Sequence, residues 1–396
     1  MIPLIKQYRF NMPRSLLFGP GSADKLDEEI RQIGCDRVML VIDKRIRHLP
    51  AIERIAQSLT EKGIDYVVYD GVDTEPTHVH LEEGTSLFRK NDRQMLVAVG
   101  GGSSIDASKG IGILVTHGGD IADWEGRDRL TKRIPPLIAI PTTAGTGSEI
   151  SRVSVINDLR RKLKFIINST FLCPELAIED PLLTVSMPPS VTASSGMDAL
   201  THAIEGYISK RPPNLGFGVE SLTDVTAREA IRLIAGNLRK AWANGEDLEA
   251  RSNMMLGQLL AAMTFSNSGT ALVHGLARPL GAYFHVPHGL ANAIMLPYGM
   301  EFTLQACPEK FKDVAMAFGE FVDDLPAERA ACVAIDCVRR LCQDIQIPRL
   351  GEVVNREDLE QVIETMARDG YESGTPKVNP RLPTIEQMVD LYRKAL

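Results

Sequence analysis

The stretch Met95-Leu-Val-Ala-Val-Gly-Gly-Gly-Ser-Ser-Ile-Asp-Ala-Ser-Lys109 reads as a buried strand, an abrupt glycine turn and the start of a helix. An unbroken apolar run of this kind has no polar face to give to water, so it belongs in a sheet covered on both sides. Three consecutive glycines let backbone amides come close to a pyrophosphate, and the free N–H groups and dipole of the helix that follows favour an anion there. Gly101 and Gly102 supply the close approach, and Ser103 adds a hydroxyl donor. Glycine turns after strands also serve packing alone, and this stretch by itself leaves both readings open. A second turn, Pro141-Thr-Thr-Ala-Gly-Thr-Gly-Ser-Glu149, follows the apolar run Leu137 to Ile140 and offers small hydroxyl residues. Two such turns after two strands suit a ligand at the carboxyl ends of a parallel sheet.

Up to about residue 186, strand-like runs at Val38 to Ile42, Tyr66 to Tyr69, Leu96 to Val99 and Leu137 to Ile140 alternate with amphipathic helical stretches. That is the pattern of βαβ units. Past Pro181, Pro188 and Pro189 the chain turns to long helical segments, at Ser190 to Ser209, Ser221 to Trp242, Leu248 to Phe265, Pro308 to Phe321 and Ala327 to Gln343. The expected architecture is an α/β domain over 1–186 and an all-α domain over 187–396. The run Arg37 to Ile42 ends in Asp43, where a nucleotide-binding unit holds a ribose; a carboxylate there accepts from the two hydroxyls and repels a 2′-phosphate, favouring NAD over NADP. A cap on the strand end or the next helix is the alternative role for Asp43.

In Gly196-Met-Asp-Ala-Leu-Thr-His-Ala-Ile-Glu205 the pattern is helical, and Asp198 and His202 fall one turn apart on the same face. An isolated pair of this kind is usually a surface feature. Here two more of the eight histidines, His274 and His288, flank a bend rich in glycine and proline that can return the second toward the first. One carboxylate and three imidazoles suit a borderline cation, Fe(II) or Zn(II), with a position left for substrate.

From about Phe18 to the C-terminus the chain resembles the iron-containing (group III) alcohol dehydrogenases. The resemblance is carried by Phe18-Gly-Pro-Gly-Ser, Gly100-Gly-Gly-Ser-Ser-Ile-Asp, Pro141 to Glu149, Gly196 to Glu205, Pro287-His-Gly-Leu-Ala-Asn-Ala and Asn379-Pro-Arg. It implies an N-terminal NAD-binding domain and a helical metal-binding domain, as in dehydroquinate synthase-like folds, with metal and substrate in the cleft between them. It further implies Asp198, His202, His274 and His288 as metal ligands, and Gly101, Gly102 and Ser103 at the pyrophosphate. Thr142, Thr143 and Thr146 would line the nucleotide site, and Lys164 would lie near the nicotinamide-side ribose. The implied activity is metal-assisted hydride transfer between NAD(H) and a small alcohol or aldehyde, in a homodimer or higher homo-oligomer.

One position departs from the family pattern. Four residues after His274, where relatives commonly carry a histidine, this chain has Arg278. A guanidinium stays charged and cannot relay protons; it can hold an anionic substrate tail or pair with a structural carboxylate. Pro279, next to it, disfavours an undisturbed helix here.

The composition fits a two-domain globular chain of 396 residues with 44% hydrophobic and 24% charged content. A net charge of −7 argues against a nucleic-acid partner, and no apolar stretch is long enough to span a bilayer. The first ten residues lack the layout of a signal peptide, so a cytoplasmic protein is expected, its six cysteines reduced. A metal- and NAD-dependent lyase of the dehydroquinate-synthase type is the nearest rival, although its phosphorylated substrate calls for a larger set of basic residues. A non-catalytic NAD- or metal-binding module is the other, and the near-complete ligand set argues against it.

Overall fold

The computed structural model describes residues 10–161, 163–210 and 220–396. Residues 1–9, which carry the signal-peptide reading, lie outside these, as does Lys162. The described residues fall into two compact units, Asn11–Ser186 and Met187–Leu396, the latter joined by Phe10.

The first unit contains β1 (Ser15–Phe18), β2 (Arg37–Ile42), β3 (Asp65–Tyr69), β4 (Met95–Gly100), β5 (Gly126–Arg127), β6 (Leu137–Pro141), β7 (Val153–Asp158), β8 (Leu163–Asn168) and β9 (Leu176–Glu179). Six of them form an all-parallel sheet in the order β1-β9-β6-β4-β2-β3, with Val38 opposite Met95 and Leu96 opposite Leu137. Helices α1 (Leu26–Ile33), α2 (Pro50–Glu61), α3 (His78–Lys90) and α4 (Gly102–His117) connect the early strands. The apolar runs are buried on both faces. Val38, Leu40 and Ile42 pack with Ile52, Ile55 and Leu59 of α2, whereas Met39 and Val41 join Ile105 and Ile111 of α4. After β3 the chain crosses to the other side of β2, so the connections leaving β2 and β4 diverge. Open α/β sheets bind ligands at such a point.

Edge strand β1, strand β9 and the antiparallel pair β7–β8 carry no strong apolar signal. In β7 the inward positions are Ser154, Ile156 and Asp158, two of them polar, so the period of two is hidden from hydropathy.

The second unit is helical throughout its described residues: α5 (Pro189–Ile208), α6 (Glu220–Ala243), α7 (Leu248–Ser268), α8 (Leu272–Phe284), α9 (His288–Thr303), α10 (Pro308–Ala317), α11 (Ala327–Asp344), α12 (Leu350–Val353), α13 (Arg356–Glu372) and α14 (Ile385–Ala395), with short 3-10 turns between them. Against expectation, α8 continues through Pro279. A proline removes the N–H that the carbonyl four residues earlier would accept. That carbonyl belongs to Gly275, and it lies against Gly370 of α13, where even a β-carbon would come within 2.3 Å of it. The bare glycine makes room for the freed oxygen, so the helix tolerates its proline. Among the described residues no helix is long and apolar enough to cross a membrane.

Candidate functional site

Helix α5 presents Asp198, His202 and Glu205 at positions i, i+4 and i+7, one buried stripe. Facing it are α8 and α9, whose junction turns sharply. His285 adopts a left-handed conformation (φ 56°) at the end of α8, and Pro287 precedes the first turn of α9, which begins at His288. The reversal brings His288 back beside His274. Asp198 Oδ1 lies 3.9 Å from His274 Nε2 and 3.8 Å from His288 Nε2, and ligand atoms of these three residues all fall within 4.8 Å of one another. Two atoms each about 2.1 Å from a shared ion stand roughly 3.0–3.4 Å apart, so the three residues must draw closer, the two pairs with Asp198 by about 0.5 Å, to seat a cation among them.

The fourth candidate, His202, flanks this group. Its ring stacks on His274 with centroids 4.6 Å apart and on Phe265 at 4.1 Å. It is buried, as are Asp198 and His274; the His288 side chain, at 39% exposure, is the open side of the cluster.

Two residues that sequence reading passed over complete the arrangement. Glu205 accepts from the backbone N–H groups of Ala271, Val273 and His274 and lies 2.6 Å from His274 Nδ1. Both Glu205 oxygens already accept from backbone N–H groups, so Nδ1 is the donor in this contact and the Nε2 lone pair faces the cluster. Asn292, one turn after His288, donates from Nδ2 to Asp198 Oδ1 at 2.7 Å. Both were legible as spacings, seven residues after Asp198 and four after His288, but each acts by touching a ligand side chain, a role that spacing does not mark.

The electrostatics ask for a cation. Burial pushes the carboxyl groups of Asp198 and Glu205 up to about 7, with the hydrogen bond from Asn292 opposing the shift at the first and backbone amides opposing it at the second. Burial and the positive charge of Arg278 hold His274 well below the ordinary imidazole value, which keeps it neutral and able to coordinate. A divalent ion would supply the missing positive charge and use those lone pairs. The donor set therefore fits the metal its composition suggested.

Arg278 is on α8, one turn after His274. Desolvation lowers its pKa while Glu205 raises it. Among the described residues no carboxylate or acceptor lies at bonding distance of its guanidinium, so the structural ion pair considered above is not formed.

In the α/β unit, the glycine turn and the turn after β6 meet. Thr142 N–H donates to Gly100 O at 3.1 Å, a β-carbon on Gly102 would fall 2.9 Å from Thr146 Oγ1, and one on Gly101 would fall 3.6 Å from Thr143 Oγ1. Gly102 and Ser103 open α4, with their amides at its N-terminus. Fully buried Lys109 ties this helix to the second turn by donating to the carbonyls of Ser148, Ser151 and Val153 at 2.7–2.9 Å. Asp43 stands at the same place, its N–H donating to Val99 O at 3.3 Å. Its carboxylate accepts from Arg45 Nε and Nη2 at 3.0 and 2.6 Å. Lys164, on β8, pairs with Glu75 at 2.7 Å and makes no hydrogen bond to this cluster.

Residues 13–181 match the family described as iron-containing alcohol dehydrogenase, and residues 192–396 match the C-terminal part of the Fe-containing alcohol dehydrogenase family. The chain is 40% identical to the 1,3-propanediol dehydrogenase of Citrobacter freundii, across 98% of this chain and 99% of that one. It is 34% identical to the NAD-dependent methanol dehydrogenase of Bacillus methanolicus, with the same coverage of both. In three dimensions it is similar to a crystal structure of 1,3-propanediol oxidoreductase, with a TM-score of 0.94 and 38% identity over 99% of this chain and 100% of that chain.

Proposed function

The chain belongs to the iron-containing alcohol dehydrogenase family, and from that premise we infer that it transfers hydride between NAD(H) and a small alcohol or aldehyde at a centre held by Asp198, His202, His274 and His288. The observation that carries this reading is the convergence of Asp198, His274 and His288 within 4.8 Å, the first two buried and His288 on the open side. When bound there, ferrous iron supplies Lewis acidity at the substrate oxygen, and the nicotinamide gives or takes the hydride. The chain's own part is placement. Glu205 keeps the His274 lone pair turned inward, and the exposed edge of His288 leaves one side for substrate. Gly101, Gly102 and Ser103 would hold the pyrophosphate, with Thr142, Thr143 and Thr146 beside it. Lys164, paired with Glu75, keeps two further N–H donors for a ribose.

The direct test is NADH oxidation with a panel of short aldehydes, by metal-free and by Fe(II)-loaded protein. Turnover that is equal with and without metal would defeat the reading. Cofactor choice is tested in the same assay. With Asp43 in place a 2′-phosphate meets a carboxylate; in Asp43→Ser the repulsion goes and Arg45 is released to bind that phosphate. A charged hydrogen bond is worth about 1.5–3 kcal/mol, so the NADPH to NADH ratio of kcat/KM should rise about 10–150-fold. Wild-type enzyme that used NADPH as well as NADH would count against this role.

The unpaired state of Arg278 favours a finer reading, a substrate with an anionic tail. A guanidinium without a carboxylate partner is free to take a carboxylate or sulfonate in two-point contact. Comparison of kcat/KM for a short alkanal and its ω-carboxylated counterpart, in wild type and Arg278→His, reads this out. A loss of ~1–3 kcal/mol for the anionic substrate alone is expected. Equal losses for both substrates would sink it.

A further inference from the structure

We propose that Asn292 is a positioning residue of the metal centre, its amide nitrogen holding the Asp198 carboxylate in the orientation that faces the two imidazole nitrogens. This rests on the reading of Asp198, His274 and His288 as ligands. Asn292 is fully buried and leaves α9 from the same face as His288, one turn earlier. Its Nδ2 lies 2.7 Å from Asp198 Oδ1, 3.2 Å from His288 Nε2 and 3.3 Å from His274 Nε2. Among the described residues no other group donates a hydrogen bond to the Asp198 carboxylate.

The way the amide is turned supports this assignment. With Nδ2 toward the ligands, Asn292 Oδ1 is buried and has no hydrogen-bond partner among the described residues. Such a carbonyl costs free energy. The opposite orientation would cost more, because it sets Oδ1 against a carboxylate oxygen and against the His274 Nε2 lone pair that Glu205 has fixed. Contact with the ligand atoms therefore decides the orientation. A carboxylate has lone pairs enough to keep this donor while it binds an ion, which is the usual arrangement of an outer partner on a metal-binding acid. The same contact ties α9 to α5, so one side chain sets both the carboxylate angle and the approach of His288.

The test is metal binding by the full chain in the absence of substrate and NAD(H). Fe(II) affinity is measured anaerobically by chelator competition, together with the Tm of metal-free and Fe(II)-loaded protein. Asn292→Leu removes the donor at nearly constant volume, and Asn292→Ala serves where leucine disturbs the interior. The expected result is a Kd for Fe(II) raised about 10–100-fold and a smaller metal-induced rise in Tm. A folded variant with wild-type Kd, and with Tm lowered equally in both states, would overturn the proposal. So would failure of both variants to fold, which would make Asn292 a folding residue. Wild-type protein that takes up no Fe(II) would overturn the ligand assignment itself, a different outcome from either of these.

Discussion

Replacement of His274 or His288 by alanine is expected to strip the protein of metal and lower turnover by at least about 10³-fold. The size follows from the charge stabilisation a Lewis acid provides, several kcal/mol, at tenfold in rate per ~1.4 kcal/mol. The two variants should differ in stability. His274 is buried between Glu205 and Asp198, so its loss leaves two interior carboxyl groups, both already pushed up to about 7, without the imidazole that separates them. His288 is more than a third exposed, and its loss opens the site to water at a smaller structural cost. Elemental analysis per chain, beside kcat with NADH at saturation, checks both statements. Full metal occupancy in both variants would remove these residues from the ligand set.

The second large effect is expected at a residue that carries no chemistry. Gly289 follows His288 in the first turn of α9, and a β-carbon there would lie 2.5 Å from the carbonyl oxygen of Ser194 and 3.3 Å from the β-carbon of Asp198. The first obstacle is backbone of α5, so it cannot rotate away. Gly289→Ala must push α9 off α5, at a cost of about 1–3 kcal/mol or more for overpacking. Because Asp198 is on one helix and His288 with Asn292 on the other, the same displacement separates the ligands. Lower Tm and weaker metal binding should appear together. Gly236→Ala is the control: this glycine is inside α6 with nothing within 4 Å of the added carbon, so alanine should raise stability by about 0.5–1 kcal/mol. A Gly289→Ala protein with wild-type Tm and metal content would show that the two helices do not meet as described.

Much of this was legible in the chain. The buried strand, glycine turn and helix at 95–109 are present as read, because an apolar run followed by glycines has few other ways to satisfy its backbone. The long helices also announced themselves by period. The polar inward face of β7 and the continuation of α8 through Pro279 did not, since each depends on a neighbour that sequence does not name: Asp106, which accepts from Val155 N–H and through its carbonyl from Ser154, and Gly370, which leaves space for a free carbonyl.

The division at the site is similar. By itself the sequence determined which side chains share a helix face, Asp198 with His202 and Glu205, His274 with Arg278, His288 with Asn292, because a turn of 3.6 residues is a property of the backbone alone. It also determined the chemical types, one acid and three imidazoles. Only the tertiary structure decided which lone pairs meet. Helix α9 approaches α5 closely enough for Asp198 and His288 to converge because Gly289 has no side chain, Arg278 is left without a carboxylate, and Asp43 finds Arg45. Each of these outcomes depends on distances of a few tenths of an ångström between elements far apart in sequence. Local spacing carries no information about such distances, and hydrogen bonding and coordination are sensitive to them.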